Sequence, residues 1–286
     1  MNPGILFAFL AFFAWGIGDF LIQKTARQVG DWAALFYVDL FAAGGLLPFV
    51  WPALFGLNSG DWLLLLLISA VNFTAAILDF DALKVGKISV VEPIYALEIG
   101  VTAALAMGFL NEILKLEQWF LILVLTVGIA LVSVRALHHF RNIRLEKGVW
   151  LALLTTFFMG GTNFLYGVGS RQVDPLTVNW ITSTFIVLVC LAYLFSVSRL
   201  GELRMDWRRH KKLLLSTSIV DNSAWIFFAY ATLSAPVAIV TAISESYIAL
   251  AAFLGVWFNR EKLQRHQWLG LCLAIAAAVL LAATLG

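Results

Sequence analysis

"GIGDFLIQKTARQV" at residues 16–29 lies over "GGTNFLYGVGSRQV" at residues 160–173 when the chain is slid along itself by 144 positions. Gly16 meets Gly160, Phe20 meets Phe164, Leu21 meets Leu165, and the Arg-Gln-Val triplet recurs. Further on, "NEILKLEQW" at 111–119 lies over "NREKLQRHQW" at 259–268, matching Glu112, Gln118 and Trp119 to Glu261, Gln267 and Trp268 at an offset of 149. The chain therefore reads as a duplication. The five-residue change in offset falls between the second and third segments of the repeat, where the longer loop 198–211 absorbs it.

Composition says what is duplicated. With 62% hydrophobic residues, 13% charged and a mean hydropathy of +0.91, the chain of 286 residues has too little polar surface to cover a soluble globule. About 20 apolar residues in a helix cross a hydrocarbon core of about 30 Å. Ten segments pass that test, near 4–24, 32–55, 61–82, 88–110, 118–136, 148–169, 176–197, 212–233, 236–258 and 265–285. The first has no basic region before it and no small-residue cleavage site after it, so it is expected to stay as a helix rather than leave as a signal peptide. Cys190 and Cys272 sit inside spans without metal-ligand spacing and read as packing residues, and nothing in the sequence calls for a metal or cofactor.

Cations set the topology. With ten helices the two termini share a side, and that side's loops hold only Lys115 and Arg171 of the 19 Lys and Arg. The remaining 17 fall in the opposite loops, six of them between Arg199 and Lys212. Short Lys- and Arg-rich loops stay in the cytoplasm, which places both termini outside the cytoplasmic (inner) membrane. The same spread of cations over short loops that flank lipid headgroups argues against a nucleic-acid partner. Residues 1–137 and 148–286 form two five-helix units joined by a basic connector at 138–147. An odd number of helices per unit forces the two into opposite orientations, and the loops agree: the one after the second helix has no cation, its counterpart after the seventh has six. The fold class is an all-α membrane protein, with ten transmembrane helices as two inverted five-helix repeats. Inverted repeats are a common way to build two alternately opened gates around one midplane site.

Particular motifs point to a family. Trp15-Gly16 in the first helix, Pro93 early in the fourth, and a Glu closing the fourth helix followed six residues later by Gln (Glu112 and Gln118, again Glu261 and Gln267) resemble the EamA-like family of the drug/metabolite transporter superfamily. The resemblance covers nearly the whole chain. It implies secondary transport of small metabolites through a central cavity lined by helices 1, 3, 4, 6, 8 and 9, with helices 5 and 10 at the periphery. Two departures stand out: helix 9 has no proline matching Pro93, and Asp19 places an acid in helix 1.

Eight acids fall within spans (Asp19, Asp39, Asp79, Asp81, Glu92, Glu98, Asp221 and Glu245), whereas no Lys or Arg lies deep in one. A charge at the bilayer centre costs about 2.5–3.5 kcal/mol on insertion scales, so these acids are expected to face a water-accessible interior. Glu98, Asp221 and Glu245 are the deepest. Asp79 and Asp81 approach Lys84 and Lys87, Glu92 lies near Lys87 and Asp19 near Lys24, so a helix-end or ion-pair role competes there. Asn72 is the repeat counterpart of Asp221, and Asn163 that of Asp19. Tyr95 shares a helical face with Glu98, three residues on. The expected floor of a site is Tyr95, Glu98, Asp221 and Glu245, flanked by Asn72, Asn163, Asp19, Trp15 and Tyr247, with Pro93 and Glu92 shaping a hinge or gate in helix 4 and Pro48 a second bend in helix 2.

Two chemistries fit. Desolvation disfavours an ionised carboxylate, so one or more acids are expected to exchange protons and couple flux to the H⁺ gradient. Alternatively the acids hold Na⁺ or an organic ammonium, with Trp15, Trp180, Trp225 or Tyr230 offering aromatic faces. The expected cargo is a small cationic or zwitterionic, amino-acid-like metabolite; interhelical hydrogen bonding is the plainer use of any single acid. All four histidines lie in loops and no HExxH or GxSxG occurs, which disfavours an enzyme. A cation-conducting channel is the competing class. In helix 10, Gly270, Ala274, Ala278 and Ala282 make a smooth stripe for helix 5 or for a second protomer, leaving monomer and homodimer both open.

Overall fold

The computed structural model describes residues 2–85, 94–134, 147–250 and 263–285. Glu92 and Pro93, the expected hinge of helix 4, lie outside the described residues. Ten helices run through the described chain: α1 (Pro3–Val29), α2 (Asp31–Leu54), α3 (Ser59–Val85), α4 (Glu98–Leu110), α5 (Leu116–Ser133), α6 (Lys147–Gln172), α7 (Pro175–Ser196), α8 (Leu200–Ser234), α9 (Val237–Glu245) and α10 (Arg265–Ala283). No strand occurs among the described residues. The protein is an all-α membrane protein.

Local chemistry places the helix ends. Asn2 accepts from the Gly4 amide at 2.8 Å and Pro3 opens α1; Asp174 does the same for α7, accepting from Leu176 and Thr177 with Pro175 at the first position. Gly30, at φ +83°, makes the single-residue turn between α1 and α2, a conformation that strains any side chain with a Cβ. The recurring glutamine has the same use in both halves. Gln118 Oε1 accepts from the Lys115 amide and Gln267 Oε1 from the Gln264 amide, each at 2.9 Å, closing the first turns of α5 and α10. Their amide groups then cross between repeats, Gln118 donating to Thr284 Oγ1 at 3.0 Å and Gln267 to the Val132 carbonyl at 2.9 Å.

Packing is pseudo-symmetric. The most extensive contacts pair α1 with α8, α3 with α6, α2 with α7 and α5 with α10, so every helix of those pairs meets one from the other repeat. The repeated Gly16 and Gly160 are contact points of this arrangement. A Cβ on Gly160 would lie 2.7 Å from Val101, and one on Gly16 would lie 2.9 Å from Leu250, the counterpart of Val101 at offset 149. Each glycine lets the fourth or ninth helix of the opposite repeat come close.

The structure overturns one expectation and sharpens two. The connector 198–211 is largely helical: α8 starts at Leu200 and kinks at His210, where the backbone leaves helical geometry. Its first part is amphipathic, with Leu203 and Trp207 one turn apart; Trp207 packs on Phe41 at 5.2 Å between ring centres, and the Tyr37 hydroxyl donates to the Leu203 carbonyl. Seven of the ten helices are long and apolar enough to span by themselves. α4 and α9 are short apolar helices, and α8 carries a charged first section. The stripe on α10 packs within the chain against α5, since a Cβ on Gly270 would come within 2.6 Å of the Gly128 carbonyl oxygen and one on Gly128 within 2.7 Å of the Ala274 amide.

Gly270→Leu is therefore expected to lower stability by about 1–3 kcal/mol, because overpacking must separate α5 from α10. A thermal melt in detergent would show it; an unchanged midpoint would mean the two helices are not held at this distance.

Candidate functional site

Helices four and nine break at the same repeat position. Residues 94–95 are helical, Ala96 and Leu97 form a turn, and α4 begins at Glu98; α9 ends at Glu245, Ser246 turns, and 247–250 are helical again. Leu97 and Ser246 correspond at offset 149, and each donates its amide to the carbonyl three residues back, Ile94 at 3.0 Å and Ile243 at 3.3 Å. Glu98 follows one break and Glu245 precedes the other. Interrupted helices are where membrane carriers expose backbone and side-chain polarity at mid-depth.

These two acids come together. Both residues are buried, at 7% exposure each, and their carboxyl groups are within hydrogen-bonding reach of one another. Asn163 on α6, fully buried, donates to Glu245 Oε1 at 3.4 Å, while its own Oδ1 has no partner among the described residues. The Thr102 hydroxyl, one turn past Glu98, donates to the Gly160 carbonyl at 3.0 Å and ties α4 to α6 at this depth. Tyr95 faces the Asp79 carboxylate on α3 and Thr155 on α6, with the Glu98 carboxylate also nearby, and closes no hydrogen bond of normal geometry among the described residues.

An aromatic wall adjoins the acids. Trp15 on α1 meets Trp225 edge-on at 5.1 Å, Phe228 at 5.6 Å and Tyr247 at 6.2 Å; Trp225 in turn lies 4.6 Å from Tyr166, one turn beyond Asn163 on α6. Trp180 is held elsewhere, donating its indole N–H to the Ala43 carbonyl at 2.7 Å, and Tyr230 stacks on Phe7 at 5.5 Å.

Asp221 belongs to a second polar centre. It lies close to Asp39 on α2, whose carboxylate faces the Ser183 hydroxyl on α7; Tyr166, hydrogen-bonded to Thr182, sits near both acids. Ser183 also reaches Asn222 Oδ1 at 3.4 Å, and Asn222 donates to the Val38 carbonyl at 3.0 Å and to the Ser218 carbonyl at 2.9 Å. Tyr166 thus joins this second centre to Trp225. Asn72 is buried on α3, and Asp19 stands on α1 one turn from Trp15. Two surface grooves lie away from the Glu98–Glu245 pair. One of about 470 Å³ is lined by Lys24, Gln28 and Arg208–Leu213; the other, about 190 Å³, opens between α2 and α8 beside Ser218 and Asn222.

The EamA-like transporter family matches residues 2–134 and, a second time, residues 146–283. The chain belongs to that family. It is accordingly a multi-pass membrane transporter of the drug/metabolite transporter superfamily. A solved crystal structure is similar to this EamA-like chain over 99% of its length and 98% of the other's, with a TM-score of 0.72 at 14% identity, and at that identity the likeness concerns the fold alone. No curated protein matches the sequence.

Several residues of this EamA-like site escape a reading of the sequence. Tyr166, Ser183 and Asn222 look like ordinary span residues, and Asp39 was one of eight acids with nothing to single it out. One available signal was Tyr166 three residues after Asn163, on one face of α6.

Asn222→Ala would leave the Val38 carbonyl without this donor and is expected to cost about 1–3 kcal/mol in a thermal melt. Ser223→Ala, whose hydroxyl only bonds its own helix at the Ile219 carbonyl, should stay close to the parent. Equal midpoints for both would show that the α2–α8 bond carries no stability.

Proposed function

We propose that the protein is a secondary transporter that moves a small cationic or zwitterionic, amino-acid-like metabolite by alternating access, with Glu98 and Glu245 as the groups that take the ammonium or exchange a proton. One observation carries this reading: two acids at the equivalent breaks of the inverted repeats share one buried place with Asn163. Two carboxylates at hydrogen-bonding distance do not both stay ionised unless a proton or a cation lies between them. Their surroundings suit either: an amide oxygen without a donor, and the faces of Trp15, Trp225 and Tyr166 for an organic cation. No Lys or Arg lies deep in the spans, which disfavours an anionic cargo.

Alternating access is favoured over a static cation channel by the pairing of each repeat's helices with those of the other, because rocking one repeat against its partner exchanges which end is closed. The loop cations support termini outside the cytoplasm of an inner membrane. Asp39 and Asp221 stand one aromatic residue away and would serve as a second station for the proton or Na⁺.

A thermal-shift screen of the purified protein against amino acids, polyamines, nucleosides and sugars tests the cargo. A compound at 100 times its dissociation constant should stabilise the native state by about 2.7 kcal/mol. Cationic or zwitterionic compounds should shift the parent, and Glu98→Gln or Glu245→Gln should abolish the shift and the corresponding flux in vesicles while the protein still inserts. A response confined to neutral or anionic compounds, or parental flux in both variants, would overturn the assignment.

A further inference from the structure

Glu112 does more than end α4. Asn111, in left-handed conformation at φ 53°, turns the chain so that the Glu112 side chain, 8% exposed, leaves its own repeat. Its Oε1 accepts from the Val237 amide at 2.8 Å and its Oε2 faces the Ala238 amide at 3.3 Å, the first two amides of α9. A carboxylate at that place meets two amides without intrahelical acceptors and the positive end of the helix dipole. Arg171, at the end of α6, completes the arrangement. Its Nη2 donates to Glu112 Oε1 at 3.0 Å and to the Ala235 carbonyl at 3.1 Å, and its Nε donates to the Thr232 carbonyl at 2.8 Å. One acid of the first repeat thereby holds the end of α6, the end of α8 and the start of α9 of the second.

The same end carries further bonds between the repeats: Gln172 donates to Asp61 Oδ1 at 2.9 Å and Asn2 to the Ser234 carbonyl at 3.0 Å. The repeat sets Arg27 opposite Arg171, yet Arg27 is exposed and has no hydrogen bond or ion pair among the described residues. Among the described residues Arg171 is engaged and Arg27 is not, while Glu261, the counterpart of Glu112, lies outside them. From the engaged end a path leads inward. Val237, Thr241 and Glu245 are spaced by four on one face of α9, and the Thr241 hydroxyl between latch and acid is fully buried with no partner among the described residues.

We infer that Glu112 and Arg171 are gate residues: the ion pair and the cap on α9 form a releasable latch that closes the terminus-bearing end of the transporter. Opening this end requires α9 and the ends of α6 and α8 to leave Glu112 together, giving up charge-assisted bonds. The latch rests on the alternating-access reading of the Glu98–Glu245 site, but its test involves neither those acids nor any substrate.

The test uses full-length protein with Thr241→Cys as reporter, Cys272→Ala to remove an exposed thiol, and the buried native Cys190 kept as internal control. Vesicles sorted for orientation receive a membrane-impermeant methanethiosulfonate on the terminus-bearing side, and mass spectrometry follows each thiol separately. Glu112→Gln and Arg171→Gln should each speed labelling of the reporter by about tenfold or more while Cys190 stays unlabelled. A short thiol cross-link between Asp61→Cys and Gln172→Cys, with the helices held together, should slow it below the parent. Reporter rates within twofold of the parent in both single variants overturn the inference. So does equal acceleration at Cys190, which would make Glu112 and Arg171 general stabilisers of the fold. If Glu112→Gln fails to insert, Arg171→Gln, which leaves the cap on α9 in place, decides the matter by the same comparison.

Discussion

Hydrocarbon gives a buried polar group nothing to bond with, so every amide, hydroxyl and acid within the bilayer has to be answered from inside the chain. In this protein the answer repeatedly comes from the opposite repeat. Gln118 crosses to Thr284 and Gln267 to Val132; Thr102 reaches Gly160; Asn222 reaches Val38; Glu112 answers the first amides of α9. Glycines do the steric part of the same work, Gly16 and Gly160 opening the close approach of the ninth and fourth helices and Gly128 with Gly270 that of α5 and α10. Neither repeat is polar-satisfied by itself, and the fold follows from that mutual dependence.

Inversion then makes the centre and the ends different kinds of place. At the centre, elements related by the pseudo-twofold meet: the breaks at Leu97 and Ser246 correspond, and the acids beside them come within hydrogen-bonding reach. At the ends the same relation maps one end onto the other. At one of them Glu112 is joined to Arg171 and Asp61 to Gln172, which on the proposed latch makes it the closed one. The symmetry is broken in detail, since Glu98 opens a helix while Glu245 closes one, and Asn72 stands where the other repeat has Asp221.

Family motifs acquire physical meanings in this frame. The Gln at the start of the fifth and tenth helices is a cap whose spare amide staples two repeats, and the first-repeat Glu is a cap for a helix 125 residues away. The aromatic residues sort by partner: Trp15, Trp225 and Tyr166 stay at the centre, whereas Trp180 is committed to Ala43. Trp51, Trp150 and Trp268, near span ends, are exposed.

Spans, duplication and inversion were all legible in the sequence, because hydropathy over about 20 residues, a recurring motif and the parity of five helices are properties of the chain alone. So was the place of Glu98 and Glu245 within apolar segments. Their meeting was not, since helical periodicity tells which residues of one helix share a face but says nothing about which neighbour that face addresses. The sequence grouped Asp221 with Glu98 on depth; packing set it near Asp39, because α8 lies against α1 and α2. Residues 198–211 read as a loop from their charges, and became helix once Leu203 and Trp207 had Tyr37 and Phe41 to pack on. Sequence by itself determined the number of crossings and the symmetry relating them. Which polar groups face each other was decided only by the tertiary structure, because in lipid a partner is chosen by proximity across helices, and proximity across helices is not written along any one of them.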